Sequence, residues 1–175
     1  MFEAVQILKI DSELRGRFRK QFKYVFVDEF QDTNPVQYEL IRLLIGVEFP
    51  NITVVGDDDQ SIYGWRGADL RILQNFHKDF DGAKVFKLEE NFRSSANIVR
   101  AAGSVIENNT RLEVFKKKIF STKQAGSKVL INHFEDEYKE SEQISLDIAM
   151  KGASQYRDTA IFYRTNAQSR LFEEV

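Results

Sequence analysis

The sequence of 175 residues contains no cysteine, two histidines, two prolines and one tryptophan. The absence of cysteine excludes disulfide bonds, zinc–thiolate sites and a thiol nucleophile, and it fits a reducing compartment. His77 and His133 are too distant in sequence to have the spacing of paired metal ligands. No apolar run reaches the roughly 18 to 20 residues of a membrane span, and the start mixes acids into its apolar part, unlike a signal peptide. We therefore expect a soluble cytoplasmic protein that has no membrane partner.

Apolar and charged residues are abundant instead. Hydrophobic residues make up 42% and aromatic residues 13% of the chain, which is enough to form a core. Lysine and arginine number 25 against 27 acidic residues, so the net charge of −2 neither favours nor disfavours nucleic-acid binding. Any such binding must come from a local patch.

The apolar periodicity predicts helices and strands in alternation. Helices are predicted over about residues 2–22, from Pro35 to a stop at Gly46, over 69–80, from Ser94 or Ser95 onward, over 137–150 and from 166 onward. Short apolar, β-rich segments predict strands at 24–27, 51–55, 84–88, 129–134 and 159–163. This order predicts an α/β fold with mostly parallel sheets and flanking helices, and residues 24–55 predict a right-handed strand–helix–strand crossover.

One basic segment, FKKKIFSTKQAGS at 115–127, interrupts the alternation. Its glycine and serine content predicts a connection between layers or domains. Its lysines are more typical of a solvated surface than of a binding site.

Acidic residues follow the first two predicted strands. Asp28 and Glu29 follow one strand, and three acids at 57–59 follow the other. Ligands of open parallel sheets bind beyond the carboxyl ends of the strands, and clustered carboxylates suit Mg²⁺. Asp28 would hold the metal and Glu29 would act as the base in phosphoryl transfer. A single Asp after a strand more often marks a turn, but two acidic strand ends with Gln31 and Gln60 favour the catalytic interpretation.

A cluster of aromatic and basic residues lies in GDDDQSIYGWRGA, Gly56–Ala68. Tyr63, Trp65 and Arg66 offer two ring faces and a guanidinium, which suits stacking on single-stranded nucleic acid. The alternative is that the rings bury against the next helix, and the spacing does not distinguish the two. Gln60 would lie between the acids and the rings and would report the phosphate state to the rings.

A weaker signal lies in LEENFRSSANIV, Leu88–Val99. Phe92 could stack on a base, and Arg93 precedes serines that can cap a helix. An arginine opposes the dipole at a helix N-terminus, which indicates that Arg93 faces a negatively charged ligand. A surface arginine remains the commoner explanation of one such residue.

Four ordered segments, VDEFQDTN, VVGDDDQSIYGWRGA, LEENFRSSANI and AIFYRTNAQSR, resemble the UvrD, Rep and PcrA family of superfamily 1 DNA helicases over nearly the whole chain. The resemblance implies two RecA-like domains that close on ATP with Mg²⁺, here the later part of the first (1–88) and the opening part of the second (89–175). It also implies 3′ to 5′ movement on single-stranded DNA, use of 3′-tailed duplex DNA, and a place in the bacterial cytoplasm near the nucleoid.

The resemblance also assigns roles to individual residues. On the nucleotide side, Asp28 would hold Mg²⁺, Glu29 would be the hydrolytic base, and Gln31 would belong to the cofactor-binding set. Gln60 and Arg93 would contact the γ-phosphate, and Phe92 would stack on adenine where relatives often have tyrosine. On the DNA side, Tyr63 and Trp65 would lie on the single strand with Arg66 beside them.

Two family features do not occur in this sequence. None of the nine glycines begins a G-x-x-x-x-G-K-[ST] phosphate loop, and the later motifs with a second arginine would fall beyond Val175. We therefore expect an internal segment of a helicase that alone neither hydrolyses ATP nor unwinds DNA. Sheet edges left without neighbours predict self-association.

Two other function classes fit some of these residues. One is a non-catalytic protein that binds single-stranded DNA or a helicase through Tyr63, Trp65 and Arg66. The other is a phosphoryl-accepting signalling domain, which explains neither the loop aromatics nor the second set of strands.

Overall fold

The computed structural model describes residues 1–45, 51–110 and 112–174. The chain divides into two compact units, Met1–Ser127 and Lys128–Val175, and each is described by itself. In the described part of the chain, no helix combines the length and the hydropathy needed to cross a membrane.

The first unit begins with two amphipathic helices, α1 (Phe2–Ile10) and α2 (Ser12–Gln21). Asp11 separates them, and its carboxylate accepts a hydrogen bond from the Leu14 N–H at 2.8 Å, which caps α2. Both helices therefore lie within the predicted 2–22 range.

A parallel strand pair forms the sheet of this unit. Strands β1 (Val25–Val27) and β2 (Ile52–Val54) pair in the register Val25↔Ile52 to Val27↔Val54. Helix α3 (Pro35–Ile45) lies between them in sequence. The predicted strand–helix–strand unit with parallel strands is therefore confirmed, and the predicted stop at Gly46 lies outside the described residues.

Helix α3 begins at a reciprocal cap. The Asn34 side chain accepts from the Gln37 N–H at 2.9 Å, and the Gln37 side chain accepts from the Asn34 N–H at the same distance. Both donors would otherwise lack partners within the helix. Pro35 follows as the first helical residue, where its missing N–H costs nothing.

The core of the first unit forms around Phe30, which is fully buried directly after β1. Its ring meets Tyr38 of α3 and Phe76 edge-to-face, with centroids 6.1 and 5.5 Å apart. Phe76 belongs to α4 (Leu70–Asp79), which also buries Ile72 and Leu73. Packing of α3 and α4 on one ring fixes the backbone that leaves β1.

Helix α5 (Ala96–Ile106) completes the helices of the first unit, as predicted. The basic segment 115–127 lies along residues 89–91, which precede α5. Phe120 N–H donates to the Glu89 carbonyl at 2.9 Å, and Asn91 N–H donates to the Phe120 carbonyl at 2.7 Å. The segment is therefore packed within the first unit, which ends at Ser127. The ammonium groups of Lys116, Lys117 and Lys123 meet neighbouring side chains or backbone.

The regular elements of the second unit, in its described residues, are helical. Helix α6 (Glu137–Lys151) begins at Asp136, whose carboxylate accepts from the Lys139 N–H at 2.8 Å. A 3-10 stretch at Ala153–Asp158 and the short helix α7 (Ser169–Glu174) follow. The predicted helices over 137–150 and from 166 onward are confirmed.

Three of the predicted strands are wrong: residues 84–88, 129–134 and 159–163 form no strand. Their side chains remain largely in solvent, as Phe86 (82% exposed), Ile131 and Phe162 show. A β-rich pattern produces a strand only when a neighbouring strand supplies hydrogen-bond partners. Among the described residues, the isolated bridge outside the two strands joins Glu90 and Phe120. The described residues thus form a mixed, mainly helical fold with a two-stranded parallel sheet.

Candidate functional site

The ends of the two strands are joined by the side chain of Gln31. This side chain is 1% exposed. Its Nε2 donates to Glu29 Oε2 at 2.7 Å, and its Oε1 accepts from the Asp57 N–H at 3.0 Å. A buried amide that satisfies both ends holds its partners firmly, since leaving either unpaired is costly. The Glu29 carboxylate and the Asp57 backbone are therefore held at fixed positions relative to each other.

The backbone turns sharply at Glu29, immediately after β1. Glu29 has φ 49° and ψ 45°, and it is the only residue other than glycine with positive φ among those described. This left-handed conformation costs about 1 to 3 kcal/mol and is found at functional sites when the surroundings hold it. Here the burial of Phe30 and the bond to Gln31 hold it. Asp28 is exposed beside it and accepts from the Glu29 N–H at 2.9 Å.

Gly56 allows β2 to pass close to Gln31. A Cβ at this position would lie 2.8 Å from Gln31 Oε1 and 3.3 Å from the Gln31 nitrogen. Both atoms belong to the buried connection between the strand ends, so they have little room to move. The glycine is needed for this close approach.

The acids after β2 surround Lys117. Its Nζ lies 2.5 Å from Asp57 Oδ1, 3.2 Å from Asp58 Oδ1 and 3.8 Å from Asp59 Oδ2. The Lys117 side chain is only 15% exposed. The three carboxylates lie close enough to ligate one cation, and the ammonium group is the cation that they meet.

The charges in this group alter its titration. Burial alone would raise the pKa of Asp57, but the hydrogen bonds from Lys117 and Gln60 outweigh it and leave that pKa below its ordinary value. Burial would likewise lower the pKa of Lys117, but its contacts with Asp57 and Asp58 leave that pKa above its ordinary value. Both groups therefore stay charged over the neutral range.

Gln60 is attached to the same acidic group. It ends the 3-10 turn Asp58–Gln60, and its Nε2 donates to Asp57 Oδ2 at 2.7 Å. Through Asp57 and Gln31, hydrogen bonds therefore run from Glu29 to Gln60. The structure thus brings the predicted site residues Glu29, Gln31 and Gln60 into one hydrogen-bonded group through Asp57.

Tyr63, Trp65 and Arg66 form a second group. The Arg66 guanidinium lies 4.5 Å from the Trp65 ring centroid and 5.1 Å from that of Tyr63. Trp65 is 75% exposed. The alternative that this ring buries against the next helix is therefore wrong. Gly67, with φ 89°, turns the chain directly after the group.

Phe92 and Arg93 lie in a third group. Phe92 is 71% exposed, and Arg93 is exposed beside it. Asn91 Oδ1 accepts from the N–H groups of Arg93 and Ser94, which shapes the turn. The Lys123 ammonium group donates to the Arg93 carbonyl at 2.9 Å.

The N-terminus of α5 is capped from the basic segment. Ser95 is the N-cap residue, but its side chain makes no cap hydrogen bond. Instead, the N–H groups of Ala96 and Asn97 donate to the carbonyls of Gln124 and Ala125 at 3.3 and 3.0 Å. The predicted N-cap position at Ser95 is therefore correct, but the expected hydrogen bond to the serine side chain is absent, and backbone carbonyls accept in its place.

Lys117 is the residue that the sequence analysis missed. It is one of four lysines in the segment 115–127, and nothing in the local sequence distinguishes it from the others. The signal that could have found it is electrostatic: three consecutive acids after a buried strand require a nearby cation, and this segment is rich in them.

Comparison with known protein families matches two adjoining parts of the chain. Residues 1–81 match the model of the UvrD/REP helicase N-terminal domain. Residues 86–175, more than half of the chain, match the model of the UvrD-like helicase C-terminal domain.

Individual relatives are similar over most of this chain. The ATP-dependent DNA helicase Rep of Buchnera aphidicola is 44% identical over 171 residues, 96% of this chain and 26% of the relative. Rep of Escherichia coli is 43% identical over the same share, 25% of its own length. The ATP-dependent DNA helicase PcrA of Staphylococcus aureus is 43% identical over 164 residues, 93% of this chain and 22% of the relative. The chain thus spans about a quarter of the length of these relatives.

Proposed function

This chain belongs to the UvrD-like helicase family, and from that membership we propose that it carries the hydrolytic acids and a single-strand contact loop of an ATP-dependent 3′ to 5′ DNA helicase. The observation that carries the proposal is the hydrogen-bonded connection from Glu29 through Gln31 and Asp57 to Gln60. It joins an acidic strand end to a loop that also holds exposed aromatic rings.

The nucleotide part of the proposal rests on the strand ends. Asp28 is exposed at the carboxyl end of β1, and its carboxylate is a hard oxygen ligand that suits Mg²⁺. When bound, the ion would offset charge on the phosphates of ATP. Glu29 is held by Gln31 and would orient and deprotonate the attacking water. Its strained backbone supports a role in which the carboxylate must keep one direction.

The remaining nucleotide contacts would come from three exposed side chains. Gln60 keeps its amide near Asp57 and would contact the γ-phosphate, as would the Arg93 guanidinium. Phe92 has a free ring face on which adenine would stack. Gln31 would support the site indirectly, by holding Glu29 and Asp57, because it is buried and both ends of its amide are already bonded.

The DNA part of the proposal rests on the group of Tyr63, Trp65 and Arg66. The guanidinium lies against both rings, so the three side chains form one surface for stacking and phosphate contact. Bases would stack on Trp65, each contributing about 1 to 3 kcal/mol, while Arg66 meets phosphate. Single-stranded DNA and 3′-tailed duplex DNA are the proposed substrates.

The domain organisation is proposed on the same basis. Residues 1–88 would belong to the first RecA-like domain and residues 89–175 to the second. The parallel pair β1–β2 with α3 between its strands is the kind of unit from which such a domain is built. A cytoplasmic place near the nucleoid follows from a DNA substrate.

A two-part titration tests the proposal on the purified chain. In the first part, a labelled single-stranded oligonucleotide is titrated at low and moderate salt against the chain, Trp65→Ala and Tyr138→Ala. Tyr138 is an exposed aromatic residue of α6 and serves as the matched control. Binding that Trp65→Ala loses and Tyr138→Ala keeps is expected. Equal binding by all three proteins would contradict a DNA contact at this loop.

In the second part, Mn²⁺ replaces Mg²⁺ and its paramagnetic broadening of backbone NMR signals is recorded. Signals around Asp28 and Glu29 should broaden, and Asp28→Asn should abolish this effect. Asp81→Asn, at an exposed acid in a turn after α4, is the control and should leave the effect intact. Broadening that ignores Asp28→Asn would contradict the metal assignment.

A DNA-binding protein without a motor is the second candidate, favoured by the exposure of Trp65. The two parts of the titration distinguish the candidates. Oligonucleotide binding together with Asp28-dependent broadening supports the helicase function. Oligonucleotide binding without any such broadening supports the binding protein.

A further inference from the structure

Lys117 connects two parts of the chain that match different family models. Asp57 lies within residues 1–81, and Lys117 lies within residues 86–175. Their contact spans 60 positions in sequence and lies inside the first compact unit. It therefore bridges the segments assigned to the N-terminal and C-terminal helicase domains.

On one side, Lys117 acts on Gln60 through a shared carboxylate. Asp57 Oδ1 accepts from the Lys117 ammonium group, and Asp57 Oδ2 accepts from the Gln60 side chain at 2.7 Å. The two bonds occupy both oxygens of one carboxylate. The Asp57 carboxylate therefore links the ammonium group to the Gln60 amide, and the Asp59 N–H also donates to its Oδ1 at 3.1 Å.

On the other side, the backbone next to Lys117 is fixed to the residues that lead to Phe92. The Lys118 N–H donates to Glu89 Oε1 at 2.7 Å, and the Phe120 N–H donates to the Glu89 carbonyl at 2.9 Å. Asn91 then donates its N–H to the Phe120 carbonyl and shapes the turn at Arg93. A continuous series of hydrogen bonds thus runs from the backbone next to Lys117 to the Phe92–Arg93 turn.

We propose that Lys117 is a positioning residue that couples Gln60 to the Phe92–Arg93 turn, so that the two sets of proposed nucleotide contacts keep one relative placement. The inference deepens the proposed function and rests on it for the roles of Gln60 and Arg93. The occupant of the Asp57–Asp59 carboxylates is this lysine, and the residue acts without touching nucleotide.

The burial of Lys117 supports a coupling role over a merely surface ion pair. Its side chain is 15% exposed and meets three carboxylates, whereas the Lys116 side chain next to it is mostly exposed and pairs with Glu113, three residues away. Exposed pairs of the second kind contribute little and hold no geometry. A partly buried ammonium group must keep its partners, because desolvation penalises any other placement.

NMR of the ligand-free chain tests the coupling with three substitutions. Lys117→Met removes the charge and keeps most of the side-chain length, Lys117→Arg keeps the charge, and Lys116→Met is the matched control. The signals followed are the side-chain NH₂ of Gln60 and the backbone amides of Lys118, Phe120 and Arg93. Circular dichroism checks that each variant is folded.

Lys117→Met is expected to shift the Gln60 NH₂ signals and the Arg93 amide together, and to speed exchange of the Lys118 and Phe120 amides on the order of tenfold. Lys117→Arg should restore part of the wild-type pattern, and Lys116→Met should leave it unchanged. A folded Lys117→Met protein with unchanged Gln60 and Arg93 signals would overturn the coupling. So would a shift at Gln60 alone.

If Lys117→Met does not fold, Asp57→Asn replaces it, since it keeps an acceptor for Gln60 and removes the charge that Lys117 needs. The Lys118, Phe120 and Arg93 signals should then move, and unchanged signals there would overturn the coupling. Neither experiment contains DNA, metal or nucleotide. If the oligonucleotide and Mn²⁺ titrations fail, the proposed roles of the site are lost but a measured coupling stands. If the NMR shifts are absent, the coupling is lost but the titrations still test the proposed function.

Discussion

The buried side chain of Gln31 accepts a hydrogen bond from the backbone N–H of Asp57 at 3.0 Å, across the carboxyl ends of the two parallel strands. The same amide donates to Glu29. One glutamine therefore fixes the relation between the two acidic strand ends, and it does so from the interior of the unit.

Gln31→Ala is expected to lower the free energy of unfolding by about 1 to 3 kcal/mol, because the Asp57 N–H loses its partner in a buried place. Urea denaturation monitored by circular dichroism measures the change. Gln124→Ala, at an exposed glutamine of which only the carbonyl is bonded, is the control and should stay within about 0.5 kcal/mol of wild type. A Gln31 variant with the same free energy of unfolding as wild type would show that these hydrogen bonds do not contribute to stability.

Gly56→Ala is expected to destabilise the protein by about 1 to 3 kcal/mol, since the new methyl group would approach Gln31 to 2.8 Å. Gly103→Ala in α5 provides a control of opposite sign, because nothing lies within 4 Å of its Cβ position and alanine favours a helix by about 1 kcal/mol. Thermal unfolding of both variants decides the matter. A neutral Gly56 variant would mean that the strand end moves aside freely.

The contact between Lys117 and Asp57 is expected to contribute to stability over a defined pH range. The pKa of Asp57 is depressed, so its contribution is present above the ordinary carboxyl pKa of about 4 and is lost as the pH falls through the folded-state value. The pKa of Lys117 is raised, so its contribution is present below about pH 10 and is lost as the pH rises through the folded-state value.

The measurement is urea denaturation of wild type and Lys117→Met from pH 3 to pH 11. We expect a difference of about 1 to 3 kcal/mol near pH 7, since the pair is partly buried, and a shrinking difference at both extremes. Lys116→Met, whose pair with Glu113 is exposed, should show about 0.5 kcal/mol or less throughout. A difference independent of pH would assign the effect to packing of the lysine chain.

Arg66→Met is expected to weaken binding of single-stranded DNA and to lower the slope of log affinity against log salt by about 0.7, the value for one phosphate contact on a single strand. Arg17→Met, at an exposed arginine of α2, should change neither quantity. Fluorescence anisotropy at four salt concentrations gives the slope. A weakened affinity with an unchanged slope would place Arg66 on a base and not on phosphate.

The exposed apolar segments at 84–88 and 129–134 are expected to cause self-association as protein concentration rises. Phe86, Leu88 and Ile131 are each largely exposed, and unpaired extended backbone accepts further strands. Light scattering over a hundredfold range of concentration measures the mass. Phe86→Lys should reduce the association, and a strictly monomeric profile of the wild type would contradict this expectation.

The helices were predictable because their signals are local. Two helix starts are predicted by neighbouring residues alone: that of α3 by Asn34 and Pro35, and that of α4 by Asp69. In the structure, the side chains of Asn34 and Asp69 cap these helices. The strands β1 and β2 were predictable because a helix of ordinary length separates two apolar runs. The segments 84–88, 129–134 and 159–163 carry the same pattern without a paired neighbour, and strand formation is a property of the pair.

The site was predictable in its residues more than in its connections. Asp28, Glu29 and Gln60 follow strands, and their places were inferred from that order. The buried state of Gln31 depends on Phe30 and on the approach of Gly56, and the partner of Asp57 lies 60 residues away. Such long-range contacts leave no local periodicity. Only the run of three consecutive acids at 57–59 pointed to a nearby cation.

That separation of 60 residues also sets an order of events during synthesis on the ribosome. Chains grow from the N-terminus at about 5 to 20 residues per second, so the three acids are synthesised roughly 3 to 12 seconds before their lysine. In that interval the segments of β1, α3 and β2 have already been synthesised, and the carboxylates after β2 repel one another before Lys117 is added. Completion of the acidic loop therefore waits for translation of a later segment, and a nascent chain that ends before Lys117 lacks this final step of folding.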